Sequence, residues 1–330
     1  MVFPTRGSEG CFGQRSGVGS RSQARLGRLS SREKELAGRG LGVPSRRFFS
    51  TRRCPLNIIP ITDPLDSRLS PYRDLKRQAA DRGDGYFIAE GRMVVQRLLA
   101  SDYPTVSILA EPKRFDWLAG RVAAETPVYA VSAALIRAVV GFDFHRGLLA
   151  CGRRIPFTPA AGLFSPRPTH HSLPSEVALA AIAISDRENL GSLIRTAAAL
   201  GIDRIAIDRR TIDPLCRRVL RVSMGAALQI RWHDLADPLA WLSQNQRGGD
   251  WTTVAMTLAE DSIPLYEVGR ITAATTRPTM IVLGNEGDGL PLDLQAACTV
   301  RASIPMSPTI DSLNVSVAGA IAIYELLRSN

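Results

Sequence analysis

The second half of this 330-residue chain predicts an α/β fold built on a parallel sheet. Three observations carry that prediction. Short apolar runs recur at 177–185, 203–208, 252–257, 279–283 and 300–305. Stretches with helical spacing lie beside them at 190–200, 213–221, 237–245, 291–297 and 313–328. Three loops that leave the strand candidates are unusually rich in glycine and polar residues. Strands spaced by helices argue for a parallel sheet with helices on both faces.

The elements follow in chain order. Residues 1–57 form a leader rich in Gly, Ser and Arg, without apolar periodicity, and are expected to be disordered. Its first 53 residues hold eleven Arg, one Lys and three Glu, so they carry +9 of the formal net charge of +10. The rest is nearly neutral, and any nucleic-acid site there must be a local patch. The segment SRRFFSTRR (45–53) has the composition of a transit peptide. A cytoplasmic protein is the expectation, with a mitochondrial one as the alternative if the leader is a targeting signal.

A first domain is expected over 58–154. YFIAEGRMVVQRLLAS (86–101) begins as a strand and continues as a helix carrying Met93, Val94, Leu98 and Leu99 on one face. TVSILA (105–110) and PVYAV (127–131) read as strands, and SAALIRAVVG (132–141) as a helix started by Ser132. RGLLACGRR (146–154) closes the domain as a strand. Residues 155–176 contain five prolines and the pair His170–His171, and read as a linker to a second domain at 177–330. The five cysteines share no metal-ligand or redox spacing, so no metal is expected. The longest apolar runs are far too short to cross a bilayer.

Ligands of open parallel sheets bind beyond the carboxyl ends of the strands. Three loops therefore hold the candidate chemistry: SDRENLG (185–191), GNEGDGLP (284–291) and SPTIDSLN (307–314). The middle loop has glycines at 284, 287 and 289, in the order G-x-x-G-x-G. That is neither the dinucleotide G-x-G-x-x-G nor a phosphate loop. It is either a tight turn or a ligand cradle, and Glu286 within it suits a cation or a polar ligand edge. In the last loop Asp311 or Ser312 is a plausible cap for the helix that follows, with Asn314 in its first turn. That helix is small and apolar, so it is expected to be buried on most sides. In the first loop Asn189 or Ser192 is the plausible cap. Arg195 stands one turn further on, with no acidic residue three or four positions away. It is either a solvated side chain or a grip for an anion such as an RNA phosphate.

Together, in this order, the loops resemble the SpoU (TrmH-type) branch of the SPOUT RNA methyltransferases. DRENLGSLIRTAAALG (186–201) is similar to the first motif, at Asn189, Gly191, Arg195, Thr196 and Ala197. IVLGNEGDGL (281–290) resembles the second, at Leu283, Gly284, Glu286 and Gly289. IPMSPTIDSLNVSVAGAI (304–321) resembles the third, and VSMGAALQI (222–230) an intervening element at Ser223, Gly225 and Ala226. Two positions depart from the pattern: Arg187 stands where a proline is frequent, and Pro308–Thr309 where a glycine is frequent. Residues 58–154 are more loosely similar to the family's ribosomal-protein-like substrate-binding domain, and 1–53 are not covered.

The resemblance implies a trefoil-knotted domain that forms a homodimer, binds S-adenosylmethionine and methylates a ribose 2′-hydroxyl of tRNA or rRNA. The cofactor is expected on Leu283, Gly284, Gly289, Ile304, Met306 and Leu313. Arg195 is implied as the catalytic arginine, facing RNA across the dimer cleft, with Asn189, Glu286, Ser312 and Asn314 orienting it, the ribose and the cofactor. Neither membrane nor metal is implied. Two other readings compete. A non-catalytic RNA-binding protein on the same fold is disfavoured by the intact Asn189, Arg195, Glu286 and Asn314. A nucleotide-dependent oxidoreductase is disfavoured by the missing G-x-G-x-x-G.

Overall fold

Two sheets organise the described residues of the computed structural model, which are 55–75, 85–164, 177–249, 251–274, 277–307, 309–310 and 312–328. Residues 1–54, His170–His171 and Asp311 lie outside them, so expectations for the leader, for that histidine pair and for an Asp311 cap do too.

The first sheet has the order β1-β4-β3-β5-β2. Its strands are β1 (Asn57–Pro60), β2 (Tyr86–Glu90), β3 (Thr105–Ala110), β4 (Pro127–Ala130) and β5 (Leu148–Arg153). β1, β4 and β3 run parallel, and β5 is antiparallel to both β3 and β2. Helices α1 (Arg92–Leu99), α2 (Phe115–Leu118) and α3 (Ala133–Val140) accompany it. Ser132 caps α3 by accepting from the N–H of Leu135, and Gly141 ends it in the left-handed conformation. β1 begins at Asn57, which composition alone assigns to the leader.

The second sheet has eight strands, all parallel, in the order β11-β13-β10-β12-β7-β8-β9-β6. They are β6 (Thr158–Pro159), β7 (Val177–Ala181), β8 (Arg204–Ile207), β9 (Arg231–Asp234), β10 (Thr252–Met256), β11 (Ile263–Pro264), β12 (Thr279–Leu283) and β13 (Val300–Ser303). Part of the stretch expected as a linker is thus built into the sheet, with Thr158 and Pro159 pairing with His233 and Asp234. Helices α4 (Arg187–Ala199), α5 (Arg217–Val222), α6 (Pro238–Gly248), α7 (Leu265–Ala273), α8 (Leu292–Ala297) and α9 (Val315–Arg328) cover it.

Every residue of β7, β8 and β12 is buried, as a parallel sheet sandwiched between helices requires. Alternate residues face opposite cores. Leu179, Ala181, Ile281 and Leu283 pack with residues of α4, α5, α7 and α9, whereas Ala178, Ala180, Met280 and Val282 pack with those of α6 and α8. The first core continues without a break into Phe87, Ala89 and Ile108 of the first sheet and Val94 of α1. Cys151 and Cys298 are buried and free, and desolvation pushes each thiol up to about 12, so they act as packing residues and not as nucleophiles. No helix among the described residues is long and apolar enough to cross a membrane.

From β7 the chain steps to β8 and β9 on one side, and returns through β10, β12 and β13 on the other. The strand order therefore reverses between β7 and β12. A crevice at the carboxyl ends of such a pair is where open α/β sheets bind ligands.

Candidate active site

The loops after β7, β8, β10, β12 and β13 gather near that reversal. The loop after β7 is held by its neighbours' side chains. Ala183 sits at φ 54, a left-handed conformation that costs a non-glycine residue about 1–2 kcal/mol. Its N–H donates to Asp208 Oδ1 (2.9 Å), and its carbonyl accepts from Asn285 Nδ2 (2.8 Å). Asp208, buried at the end of β8, also accepts from the N–H of Thr211 (2.9 Å), Thr211 Oγ1 (2.6 Å) and Arg210 Nε (3.2 Å). Burial pushes this carboxyl up, but those hydrogen bonds outweigh it and hold it below the ordinary carboxylate value.

Glu286, in the loop after β12, reaches back to the loop after β7. Its Oε1 accepts from the N–H of Asp186 (3.2 Å) and from Asn189 Nδ2 (3.2 Å). Its Oε2 accepts from the N–H of Ser185 (3.3 Å), Ser185 Oγ (3.5 Å) and Asn285 Nδ2 (3.4 Å). A carboxylate that accepts so many donors is an organiser; it has no lone pair to spare for a general base. Asn189 passes the link on, since its Oδ1 accepts from Asn314 Nδ2 (2.7 Å). Asn314 Oδ1 in turn accepts from the N–H (2.9 Å) and Oγ (2.7 Å) of Ser316. The three sequence-distant loops are thereby joined through Glu286, Asn189 and Asn314.

Two caps differ from the sequence expectation. Asp186, not Asn189 or Ser192, caps α4, its Oδ1 accepting from the N–H groups of Glu188 and Asn189 (both 2.8 Å). Asn189 is thereby freed to bridge Glu286 and Asn314. Asn314, not Ser312, takes the cap position of α9: its carbonyl accepts from the N–H of Ala318 (2.9 Å), and its side chain accepts from that of Ser316. Several cap-competent residues stand in a row in each loop, and tertiary partners choose among them.

Beside this network lies a cavity of about 450 Å³. Leu283, Gly284, Gly289, Ile304, Met306 and Leu313, the six positions expected to hold a cofactor, all line it, as do Glu286 and Ser312. Gly284 and Gly289 form a tight turn in which Asn285 and Gly289 exchange backbone hydrogen bonds (both 3.1 Å). A Cβ on Gly284 would lie 2.4 Å from the carbonyl carbon of Gly289, so no side chain fits there. Gly289 has φ +68, which favours glycine.

Sequence reasoning missed one wall. The Met256–Ala259 loop after β10 lines the cavity, and so does Gln295 of α8. Gln295 Oε1 accepts from Thr257 Oγ1 (2.9 Å) while its Nε2 donates to the carbonyl of Leu290 (2.7 Å), fixing two walls at once. A glutamine on a short helix carries no sequence signal for that task. The position of β10 beside β12 would have flagged the loop, because both strands end at the same edge.

The described lining contains the carboxylates Glu286 and Asp288, and neither Lys nor Arg. Apolar side chains, Leu258, Ile304, Met306, Leu313 and Val315, line much of the rest, with the uncharged polar residues Thr257, Asn285, Gln295 and Ser312 among them. Such a pocket suits a cationic ligand with an apolar body and repels the phosphates of a dinucleotide. S-adenosylmethionine, a sulfonium with an aromatic base, fits this lining. Arg195 lies outside it. It is exposed on α4 and makes no hydrogen bond or ion pair with another described residue, including Asn189, Glu286 and Asn314, which were expected to orient it. Among the described residues no group of three or more His, Cys, Asp or Glu is gathered as for a metal ion.

Residues 176–324 match the SpoU rRNA Methylase family. An uncharacterized tRNA/rRNA methyltransferase of Mycobacterium bovis is 36% identical over 292 residues, 83% of this chain and 93% of that protein. The fold resembles an AdoMet-bound rRNA methyltransferase from Sinorhizobium meliloti, with TM-score 0.68 and 24% identity over 82% of this chain and 98% of that one. An RNA 2′-O ribose methyltransferase is similar at TM-score 0.60 and 25% identity, over 82% of this chain and 99% of its own.

Proposed function

The chain belongs to the SpoU rRNA methylase family, and on that footing we propose that it transfers a methyl group from S-adenosylmethionine to a ribose 2′-hydroxyl of tRNA or rRNA. The observation that carries this reading is the glycine-turned cavity, acidic and apolar, tied by hydrogen bonds to the loop that begins α4. Leu283, Gly284, Gly289, Ile304, Met306 and Leu313 would hold the cofactor. When bound, it supplies a methyl already activated on a sulfonium.

The remaining work falls to this chain's side chains: aligning a hydroxyl and helping one proton leave. Arg195 is unsuited to be a literal base, because a guanidinium hardly deprotonates. It grips the neighbouring phosphate and stabilises the developing alkoxide, while a phosphate oxygen or water takes the proton. Glu286, Asn189 and Asn314 hold the loops in register, and Ser312 faces the cavity beside them.

We further propose a homodimer in which Arg195 works opposite the partner's cavity. The lack of intrachain partners for Arg195 among the described residues supports this, as does an exposed apolar stripe, Val317, Ile321 and Tyr324, along α9. Those residues are spaced four and three apart and so share a face. Family membership also supports a trefoil knot through the loops around β12 and β13.

The test is incubation with tritiated S-adenosylmethionine and RNA from methylation-deficient cells, followed by mapping of the labelled nucleotide. Label is expected on a ribose 2′-oxygen, and is expected to fall by about 100-fold or more in Arg195→Ala, the scale of losing an electrostatic transition-state contact. Equal labelling by the variant would remove Arg195 from the mechanism.

A further inference from the structure

Glu90 ends β2 where the first sheet meets α5 of the second, and it is 5% exposed. Three guanidinium groups converge on this one carboxylate. Arg217 Nη1 lies 3.3 Å from Oε2, while Arg146 Nε and Arg221 Nη1 each lie 3.7 Å from Oε1. Other acids pair elsewhere, Glu188 with Arg218, Asp213 with Arg154 and Glu111 with Lys113, and Asp143 is exposed to solvent beside His145. One charge therefore balances three, and two positive charges are left over.

The arginines are not free to disperse that surplus into water. Arg217 stacks on Phe142, its Cζ 4.5 Å from the ring centroid, and Arg146 lies against Gly91, where a Cβ would meet its Cδ at 3.0 Å. Burial, and then the nearby Arg221, push the Arg217 guanidinium below its ordinary value against the pull of Glu90. Only one of these cations is needed to neutralise a buried carboxylate, and crowding like charges is unfavourable unless an anion completes the set. Arg146 remains half exposed, and Arg217 and Arg221 partly so, leaving N–H groups facing solvent. The cluster also borders the catalytic helix. Arg221 precedes Val222, whose Cβ would lie 2.6 Å from a Cβ on Gly191 of α4, one turn before Arg195.

We propose that Arg146, Arg217 and Arg221, gathered on Glu90 at the seam between the two sheets, form a phosphate clamp. It holds the RNA backbone beside the nucleotide presented at Arg195. The proposal rests on the RNA methylation reading above. Glu90 is the positioning residue: it preorganises three forks that then meet phosphate oxygens.

The experiment measures binding of a fluorescein-labelled 20-nucleotide single-stranded RNA and of a hairpin of equal length, at several salt concentrations. It uses the full chain and its Arg146→Gln, Arg221→Gln and Glu90→Gln variants. S-adenosylmethionine binding by calorimetry and thermal melting accompany each protein. Each arginine variant is expected to weaken RNA binding several-fold at low salt. Each should also flatten the log K against log salt slope by about 0.7–0.9, one phosphate contact, with donor binding unchanged. Glu90→Gln keeps all three cations but removes the carboxylate that preorganises them, so it is expected to weaken RNA binding while leaving the salt slope unchanged. RNA binding and slope unchanged in both arginine variants, with only the melting temperature lowered, would reduce the cluster to a structural seam. That result would leave the methyltransferase reading intact, whereas a wild type that binds neither RNA nor donor would overturn both.

Discussion

Single residues decide whether the loops keep their shape. Asp208 supports the left-handed Ala183 at the head of the site. Its native carboxyl is held below the ordinary 3.8, so its stabilising contribution is fully present above that value and is lost as pH falls through the depressed native value. Asp208→Asn is expected to cost about 1–3 kcal/mol near neutral pH and to flatten the acid limb of the stability profile. Urea unfolding followed from pH 7 to pH 3 checks both. Glu286 makes the corresponding prediction for function. Glu286→Gln retains the shape but replaces an acceptor with a donor toward the N–H groups of Ser185 and Asp186. Removing a charge-assisted hydrogen-bond set of this kind costs about 1.5–3 kcal/mol, so methyl transfer should fall by about tenfold or more while the fold persists by circular dichroism.

At the scale of elements, α9 joins the site and the proposed dimer face. Its cap, Asn314, is also the last link of the chain from Glu286 through Asn189. Asn314→Ala is expected to cost about 1 kcal/mol for the cap alone. Asn314→Ser restores the cap without the bridge, so recovered stability without recovered activity would separate the two roles. Most of the longer helices and the long buried strands were legible in the sequence because their apolar spacing survives unaided. β7, β8, β10, β12 and β13 all overlap the apolar runs. β9 was not legible, since Arg231-Trp-His-Asp offers no apolar run, and its place is set by pairing with β8. β6 and β11 are two-residue edges, too short for any period. α7 was overlooked although Leu265, Val268 and Thr272 give it a buried face. Its start just after Pro264 has no side-chain cap, so the proline stood as its one start signal. Of the site, the glycine turn and the apolar residues that line the cavity were legible as motifs. The bridging duty of Asn189 and the Gln295 wall were not, because they depend on which strand ends lie side by side. The expectation that α9 is buried on most sides fails within one chain. Val315, Gly319, Ala322, Ile323 and Leu326 are buried, but Val317, Ile321 and Tyr324 are exposed.

For the whole molecule, that exposed stripe predicts association. Ile321→Glu with Tyr324→Arg should halve the mass seen by light scattering and abolish methyl transfer without unfolding the chain. A monomeric wild type, or a monomeric variant with full activity, would remove the dimer from the mechanism. The leader carries most of the net charge but no part of the described site, so deleting residues 1–53 is expected to leave turnover unchanged in the labelled-donor assay.

Three loops, brought together at the reversal between β7 and β12, are proposed to enclose a cationic methyl donor. Calorimetric titration of S-adenosylmethionine into the wild type and Gly284→Ala tests this most directly. The wild type is expected to bind saturably. In the variant the added Cβ collides with the backbone of Gly289, and overpacking of about 1–3 kcal/mol should weaken binding by about tenfold or more. No binding by the wild type, or equal binding by both proteins, would contradict it.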